Sequence, residues 1–185
     1  EALSGQLLLS KHNRAEAANA FDAALRINPK AAEALAGKGA IALERMEFAE
    51  AERLADAALK VNPRHAAALR LKADVRLAES DPAGAEKLLR AAAEVNPRDE
   101  PTLARLAALR HLSGDKEGFA ALAKQVAAFD RKPALFYTDL GAVLTDARQF
   151  ASAAECFEKA AALRPALPGA KAGLGLLLYI QGREP

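Results

Sequence analysis

The sequence predicts an all-α chain built as an array of antiparallel helix pairs. Three observations carry that prediction. First, the stretch ALRINPKAAEALAGKGA (Ala24 to Ala40), an apolar run halted by Asn-Pro that restarts at once toward a Gly, returns as ALKVNPRHAAALRLKAD and, more loosely, as AAEVNPRDEPTLARLAA. Second, small residues recur in rows spaced by 34: Gly5, Gly39, Ala73, Ala107, Gly141 and Gly175 in one, Ala17, Ala51, Ala85, Phe119 and Ala153 in another, and Ala24, Ala58, Ala92, Val126 and Ala160 in a third. Pro29, Pro63, Pro97 and Pro165 keep the same register, which is the mark of a repeat architecture. Third, the apolar residues between these marks keep helical spacing, as in Leu35, Ile41 and Leu43, or Leu54, Ala58, Leu59 and Val61.

Each unit is therefore read as a helix A followed by a helix B. The first pair falls near 1–11 and 15–27. Pro29 ends it, because proline cannot donate to the helical ladder and biases Asn28 away from helical backbone angles. The next pair is placed near 31–45 and 49–61, with Gly39 inside its helix A. A mid-helix Gly costs roughly 1 kcal/mol against Ala. That cost is recovered if helix B approaches closely, with the Ala rows yielding from the other side, so that small meets small. The third pair lies near 65–79 and 83–95, where Asp81-Pro82 reads as an N-cap followed by Pro at the first helical position. Ser113-Gly114-Asp115 separates 100–112 from 116–129, and the remaining helices lie near 134–147, 151–163 and 167–181. The fourth unit departs from the pattern: Phe119 and Val126 stand in Ala rows, Arg131 takes the proline position, and Pro133 comes two residues late. An altered crossing angle or turn is expected there, not a break in the array.

Composition agrees with closely packed helices. Hydrophobic residues reach 51% and aromatics only 5%, with alanine carrying most of the apolar count. Lys+Arg 26 against Asp+Glu 24 leaves +2, and no block of like charge occurs, so no nucleic-acid partner is expected. The longest apolar run, LGLLLYI, falls far short of the roughly 20 residues of a membrane span, so no membrane insertion is expected. The single Cys156 excludes an intrachain disulfide. The sequence opens on Glu rather than Met, and is expected to be an excised piece of a longer protein.

Catalytic and ligand constellations are missing from the pattern. His12, His65 and His111 have no Cys or carboxylate at metal-ligand spacing and read as surface or groove histidines. Cys156, one residue before Phe157 on a B helix, reads as an inert thiol. The Gly173–Leu174–Gly175 triplet lies inside a helix rather than in a phosphate-binding turn. The expectation is a non-enzyme with no cofactor and no metal.

The 34-residue register resembles that of the tetratricopeptide repeat (TPR) family, a helix–turn–helix unit with a bulky residue at position 4, Gly or Ala at 8, Ala at 20, an aromatic at 24, Ala at 27 and Pro at 32. Leu35, Leu69, Leu103 and Tyr137 fall at position 4, and Phe21, Leu89 and Phe157 at position 24; the best copy is FYTDLGAVLTDARQFASAAECFEKAAALRP. The resemblance implies a right-handed α-solenoid in a single array. Repeat 1 spans 1–31 with a truncated start, repeat 2 spans 32–65, repeat 3 spans 66–99, and the divergent repeat 4 spans 100–133. Repeat 5 spans 134–167, and 168–185 supply helix A of repeat 6.

In this family helix A lines a concave groove, and the resemblance carries that role onto Gln6, Leu9, Ala36, Ala40, Leu43, Glu44, Arg70, Asp74, Leu77, Ala108, His111, Thr138 and Thr145, with Arg105 one position off the row. The Lys and Asn set of the chaperone-tail-binding members is replaced by Ala2, Gln6, Ala36, Ala40, Arg70 and Asp74, so that ligand is not expected. A groove that is small and apolar with isolated polar points suits a helix or an extended segment bearing apolar anchors. The implied function is a non-catalytic scaffold for a protein or peptide partner. The alternative is an accessory domain: LAESDPAGAEKLL and ALERMEFAEAERLA resemble arrays that precede zinc-metallopeptidase domains in some large bacterial proteins. An RNA-binding solenoid of the pentatricopeptide type fails on period and on charge. Finally, helix A of repeat 6 is followed only by Arg183, Glu184 and Pro185, so Leu178 and its neighbours are expected to be partly bare and to support self-association through the C-terminal helix.

Overall fold

The computed structural model of the chain describes residues 2–10 and 13–182, without the side chains of Gln6, Leu9 and Ser10. Among the described residues there are eleven helices and no strand. They fall into two compact units, Glu1–Pro97 and Arg98–Pro185. The first holds α1 (Ala2–Ser10), α2 (Arg14–Ile27), α3 (Ala32–Glu44), α4 (Phe48–Val61), α5 (Ala66–Ala78) and α6 (Pro82–Val95). The second holds α7 (Glu100–Leu112), α8 (Lys116–Phe129), α9 (Ala134–Asp146), α10 (Phe150–Leu163) and α11 (Pro168–Ile180). Odd-numbered helices are the A helices and even-numbered ones the B helices, each within one or two residues of its expected span.

The turn that follows α3, α5, α7, α9 and α11 is the same device. Met46, Ser80, Gly114, Arg148 and Gly182, each 34 after the last, adopt left-handed φ of 61°, 62°, 75°, 58° and 66°. The next N–H reaches back across the turn: Glu47 to the Ala42 carbonyl, Asp81 to Arg76, Asp115 to Arg110 and Gln149 to Leu144, at 2.8 to 2.9 Å. Met46 and Arg148 N–H also bond the Leu43 and Thr145 carbonyls at 2.9 Å, which completes a Schellman motif and satisfies the orphan carbonyls of each helix end. The residue after the left-handed one caps the next helix: Asp81 and Asp115 accept from the Gly84 and Gly118 N–H at 2.9 and 2.8 Å.

The B-to-A turn begins at a residue forced extended by the proline that follows, with φ of −136° at both Asn28 and Asn62. Their side chains accept from the N–H of Lys30 and Arg64, both at 3.0 Å, closing Asx turns. Asp130 keeps the Asx turn toward Lys132 N–H at 2.8 Å. The backbone then differs: where Ala31 and His65 bond back three residues to Asn28 and Asn62, Ala134 bonds two residues back to Lys132. This is the altered turn expected where Arg131 replaces proline.

Packing follows the rows. Ala17, Ala51, Ala85, Ala153, Ala58, Ala92, Ala160 and Val126 are fully buried, and Phe119, out of place in an Ala row, is half-buried. One expectation needs correction. Gly39 of α3 meets α4 closely as expected, its Cβ position 3.4 Å from the Ala51 carbonyl oxygen, but Gly5 and Gly141 meet a phenyl ring rather than an Ala row. A Cβ on Gly5 of α1 would lie 2.6 Å from Cε1 of Phe21, and one on Gly37 of α3 would strike the same ring. Phe157 sits likewise between Gly141 of α9 (2.8 Å) and Gly173 of α11 (2.5 Å). Small meets large, because position 24 of helix B projects between two consecutive A helices. In repeat 2 that position is Ala55, and Leu71 of α5 fills the space against Gly39 instead.

Two measurements test this packing. Phe157→Ala empties a buried socket and should cost about 3–5 kcal/mol in chemical denaturation, while Gly141→Leu overpacks the same socket at about 1–3 kcal/mol. Arg148→Gly relieves a side chain held at positive φ and should raise stability by about 0.5–1 kcal/mol after the entropy cost of glycine. A loss of stability on that substitution would contradict the turn geometry.

Candidate functional site

The residues assigned to the groove are placed on A helices in both units, and their exposure differs. On α3, Ala36 is buried, Ala40 and Leu43 are half-buried, and Glu44 is exposed in an ion pair with Arg14. On α5, Arg70, Asp74 and Leu77 are half-buried. The Gln6 and Leu9 side chains, and His12, lie outside the described ones. In the second unit Ala108 is fully buried, so it and Ala36 offer a partner almost no surface. Arg105 is partly buried, donates from Nη1 to the Pro101 carbonyl at 2.9 Å, and shares the register row of Gly37, Leu71 and Gly173 rather than that of the groove. His111 is exposed at the last turn of α7, its ring 6.1 Å from that of Phe119. Thr138 and Thr145 donate their hydroxyl protons to the Ala134 and Gly141 carbonyls of their own helix, both at 2.8 Å. Their free lone pairs can only accept from a ligand.

One histidine departs from expectation. His65 is 8% exposed rather than a surface or groove residue. Its Nδ1 accepts from Ala68 N–H at 3.2 Å and caps α5, and its Nε2 lies 3.4 Å from the Glu33 carboxylate on α3. The cap satisfies an N–H at the start of α5 that would otherwise lack a partner, and it gives the buried ring a hydrogen bond.

The groove residues expected from the sequence stop at repeat 5, short of the last helix. Leu176, Tyr179 and Ile180 stand 34 residues after Ala142, Thr145 and Asp146, and they are 50%, 82% and 45% exposed. These are the bare apolar residues of α11; Leu177 is buried, and Leu174 and Leu178 are half-buried. Adding one more period to the groove row locates all three.

The remaining polar groups bind the scaffold together. Lys38 pairs with Asp22 at 2.5 Å and Lys72 with Asp56 at 2.6 Å, a contact repeated in the 34-residue register, and Arg164 pairs with Asp130 at 2.9 Å. Lys159 Nζ lies 4.2 Å from the centre of the Tyr137 ring. Glu100 of α7 accepts from Phe136 N–H in the first turn of α9 at 2.8 Å, supplying the cap that Pro133 cannot. Burial holds the Glu100 carboxyl above its ordinary value, against the opposing effect of that hydrogen bond. Burial also pushes the Cys156 thiol up to about 11, which leaves it unreactive as a nucleophile. Among the described residues no group of three His, Cys, Asp or Glu could hold a metal ion, and no helix is long and apolar enough to cross a membrane.

A family model described as the tetratricopeptide repeat matches residues 3–52, 42–101 and 138–185. The chain belongs to the tetratricopeptide repeat family. Solved TPR structures share its fold, that of an α-solenoid. TTC0263, a thermophilic TPR protein from Thermus thermophilus, is 20% identical, with 94% of this chain and 95% of that one covered at a TM-score of 0.68. A TPR protein from Parabacteroides merdae is 21% identical, with 96% and 69% covered at 0.65. YrrB, a TPR protein with an unusual peptide-binding site, is 21% identical, with 91% and 87% covered at 0.51. No curated protein matches the sequence.

Glu100 gives a test of the inter-helix cap. A carboxyl raised in the folded state binds its proton more tightly than in the unfolded chain, so its contribution to stability falls as pH rises from its ordinary 4.5 through the native value. Glu100→Gln keeps an acceptor for Phe136 N–H, removes that slope and should be at least as stable at neutral pH. Glu100→Ala leaves the N–H without this acceptor and should cost about 1 kcal/mol. Urea melts of the three proteins between pH 4 and 8 compare these outcomes.

Proposed function

We propose that this TPR chain is a non-catalytic scaffold that binds a peptide or a helical segment along the groove row of its A helices. The TPR fold supports protein interaction in general. The observation that favours a peptide groove here is the exposure of Leu176, Tyr179 and Ile180 in register with the small and hydroxyl-bearing row of α9. An 82%-exposed tyrosine beside two aliphatic residues offers apolar area at low entropic cost together with a polar tip. Thr138 and Thr145 contribute acceptors, and His111 a polar edge on α7. In the first unit the corresponding lining is Leu43, Arg70, Asp74 and Leu77. Solvent reaches all four in part, and Arg70 and Asp74 supply charges of both signs. Such a surface selects a segment with apolar anchors and few like charges. The peptide-binding site named for YrrB, a protein of the same fold, is in keeping with this class of ligand.

The experiment is selection of peptides from a random library on the intact chain, followed by affinity measurement on variants. Tyr179→Ala should weaken a selected peptide by about tenfold or more, as truncation of an aromatic anchor does. Its melting curve should stay unchanged, because the side chain is mostly solvated. Leu77→Glu tests the first unit in the same way. Peptides that bind both variants as tightly as the parent would place the contact surface elsewhere on the chain.

A further inference from the structure

We infer that the edge of the first unit built by its α2–α3 and α4–α5 turns is a docking site for an acidic peptide in extended conformation, with one carboxylate for each turn and three residues from one carboxylate to the next. The two turns are RINPK (Arg26 to Lys30) and KVNPR (Lys60 to Arg64), and each carries a cation at both ends and an aliphatic residue beside the first. Arg26, Lys30, Lys60 and Arg64 are all exposed, and Ile27 and Val61 are 78% and 45% exposed. In the sequence these cations form no block of charge. The fold gathers them, because α3 packs beside α5 and brings the turn before each into line.

Their lack of partners sets these cations apart. In the same unit Arg14, Lys38, Arg53, Lys72, Arg76 and Arg90 each hold a carboxylate. Among the described residues Arg26, Lys30, Lys60 and Arg64 hold none. Glu33, in the first turn of α3, lies 3.4 Å from His65 Nε2 instead. Helix ends account for only half of the set. Arg26 and Lys60 stand in the last turns of α2 and α4, where the carbonyl end of a helix favours a cation. Lys30 and Arg64 come immediately before Ala31 and His65, the N-caps of α3 and α5, where the same dipole disfavours one. The array does not impose this pattern everywhere. The row of Arg26 and Lys60 ends one period later at Glu94, which is exposed. In the second unit the turn before α9 carries Asp130 in the Asn place, paired with Arg164, and the turn before α11 carries Ala166 in the place of Lys30.

The step between the two turns defines the ligand. Packed helices such as α3 and α5 lie about 8–10 Å apart. A polyproline-II segment repeats its side-chain direction every third residue, a rise of about 9 Å. One carboxylate then meets Arg26 and Lys30, the next meets Lys60 and Arg64, and aliphatic residues between them meet Ile27 and Val61. Charge complementarity selects an acidic chain, and the period selects the spacing of its charges.

The test titrates the 185-residue chain with three acetylated, amidated peptides of about twelve residues, or four polyproline-II turns. One is repeated Glu-Pro-Val, one is repeated Gln-Pro-Val, and the third has the first composition with its glutamates grouped at one end. Amide spectra should show saturable binding of the repeated Glu peptide, with shifts centred on Ile27, Lys30, Val61 and Arg64, and weaker binding as salt rises. The Gln peptide should bind about tenfold more weakly or worse, and the grouped peptide about threefold more weakly. Lys30→Gln and Arg64→Gln should each weaken the Glu peptide about threefold, and together about tenfold. The melting temperature of the double variant should hold or rise, because a cation leaves the N-terminus of each helix. Equal binding by the double variant or by the grouped peptide, shifts centred on Leu43 and Leu77, or no saturation each overturns the inference. Tighter binding of phosphatidylserine vesicles or of polyuridylate, lost in the double variant, assigns the edge to a membrane or a nucleic acid and overturns it as well. So does a dimer in light scattering that the double variant abolishes, which assigns the edge to a second copy.

Discussion

The ring of Phe21 fills the space left by two glycines, Gly5 on one A helix and Gly37 on the next, and Phe157 repeats the arrangement with Gly141 and Gly173. Most of the architecture within each unit follows from this contact. In these two repeats the B helix touches two successive A helices through one side chain long enough to reach between them, and both backbones are bare where it lands. The constraint falls on the summed volume of three positions rather than on any one residue. Repeat 2 shows this, since Ala55 takes the ring position and Leu71 supplies the missing volume from the following helix against Gly39. Interiors packed to crystal density leave little slack for such sums, so the identities at the three positions must change together.

The same contact orients the outward-facing residues. Once the ring and the Ala rows fix the rotation of an A helix, its remaining faces are assigned: one toward helix B, one toward the neighbouring A helix, one toward solvent. Leu176, Tyr179 and Ile180 are therefore exposed because Gly173 and Leu177 are held inside, not because of any local property of their own. The same rotational setting leaves Gly175, the next glycine of the row, with nothing within 4 Å of the place its Cβ would take.

Polar groups in this chain secure helix ends more than they create a reactive site. His65, Asp81, Asp99 and Asp115 each cap the helix that follows, and Glu100 caps a helix in the neighbouring repeat. The eleven described helices are short and expose many unpaired backbone groups, and capping them consumes much of the side-chain hydrogen-bonding capacity. The raised thiol of Cys156 and the self-bonded hydroxyls of Thr138 and Thr145 belong to the same pattern, because burial and local bonding remove reactive character.

The sequence by itself determined the helix pairs, their order and nearly their ends, because the punctuation repeats: Asn-Pro at Pro29, Pro63 and Pro97, the Asp81 cap, the Ser113-Gly114-Asp115 separator, and the rows at Gly5, Ala17 and Ala24 are local signals read one period at a time. Through the register shared with the TPR family it also assigned a groove row, of which the structure leaves His111 exposed, Leu77 half-buried, and Ala36 and Ala108 buried. Tertiary structure decided what those small residues face. A row of glycines shows that something comes close, but whether alanine, a phenyl ring or a leucine from the next repeat occupies the gap depends on residues 16 and 32 positions away acting together. His65 sits between two such influences, its Nδ1 capping its own helix at Ala68 N–H and its Nε2 lying 3.4 Å from Glu33 of the neighbouring α3. Likewise Met46, Ser80 and Arg148 give no glycine signal for the left-handed turn they adopt, because the two flanking helices impose that conformation on whatever residue stands there.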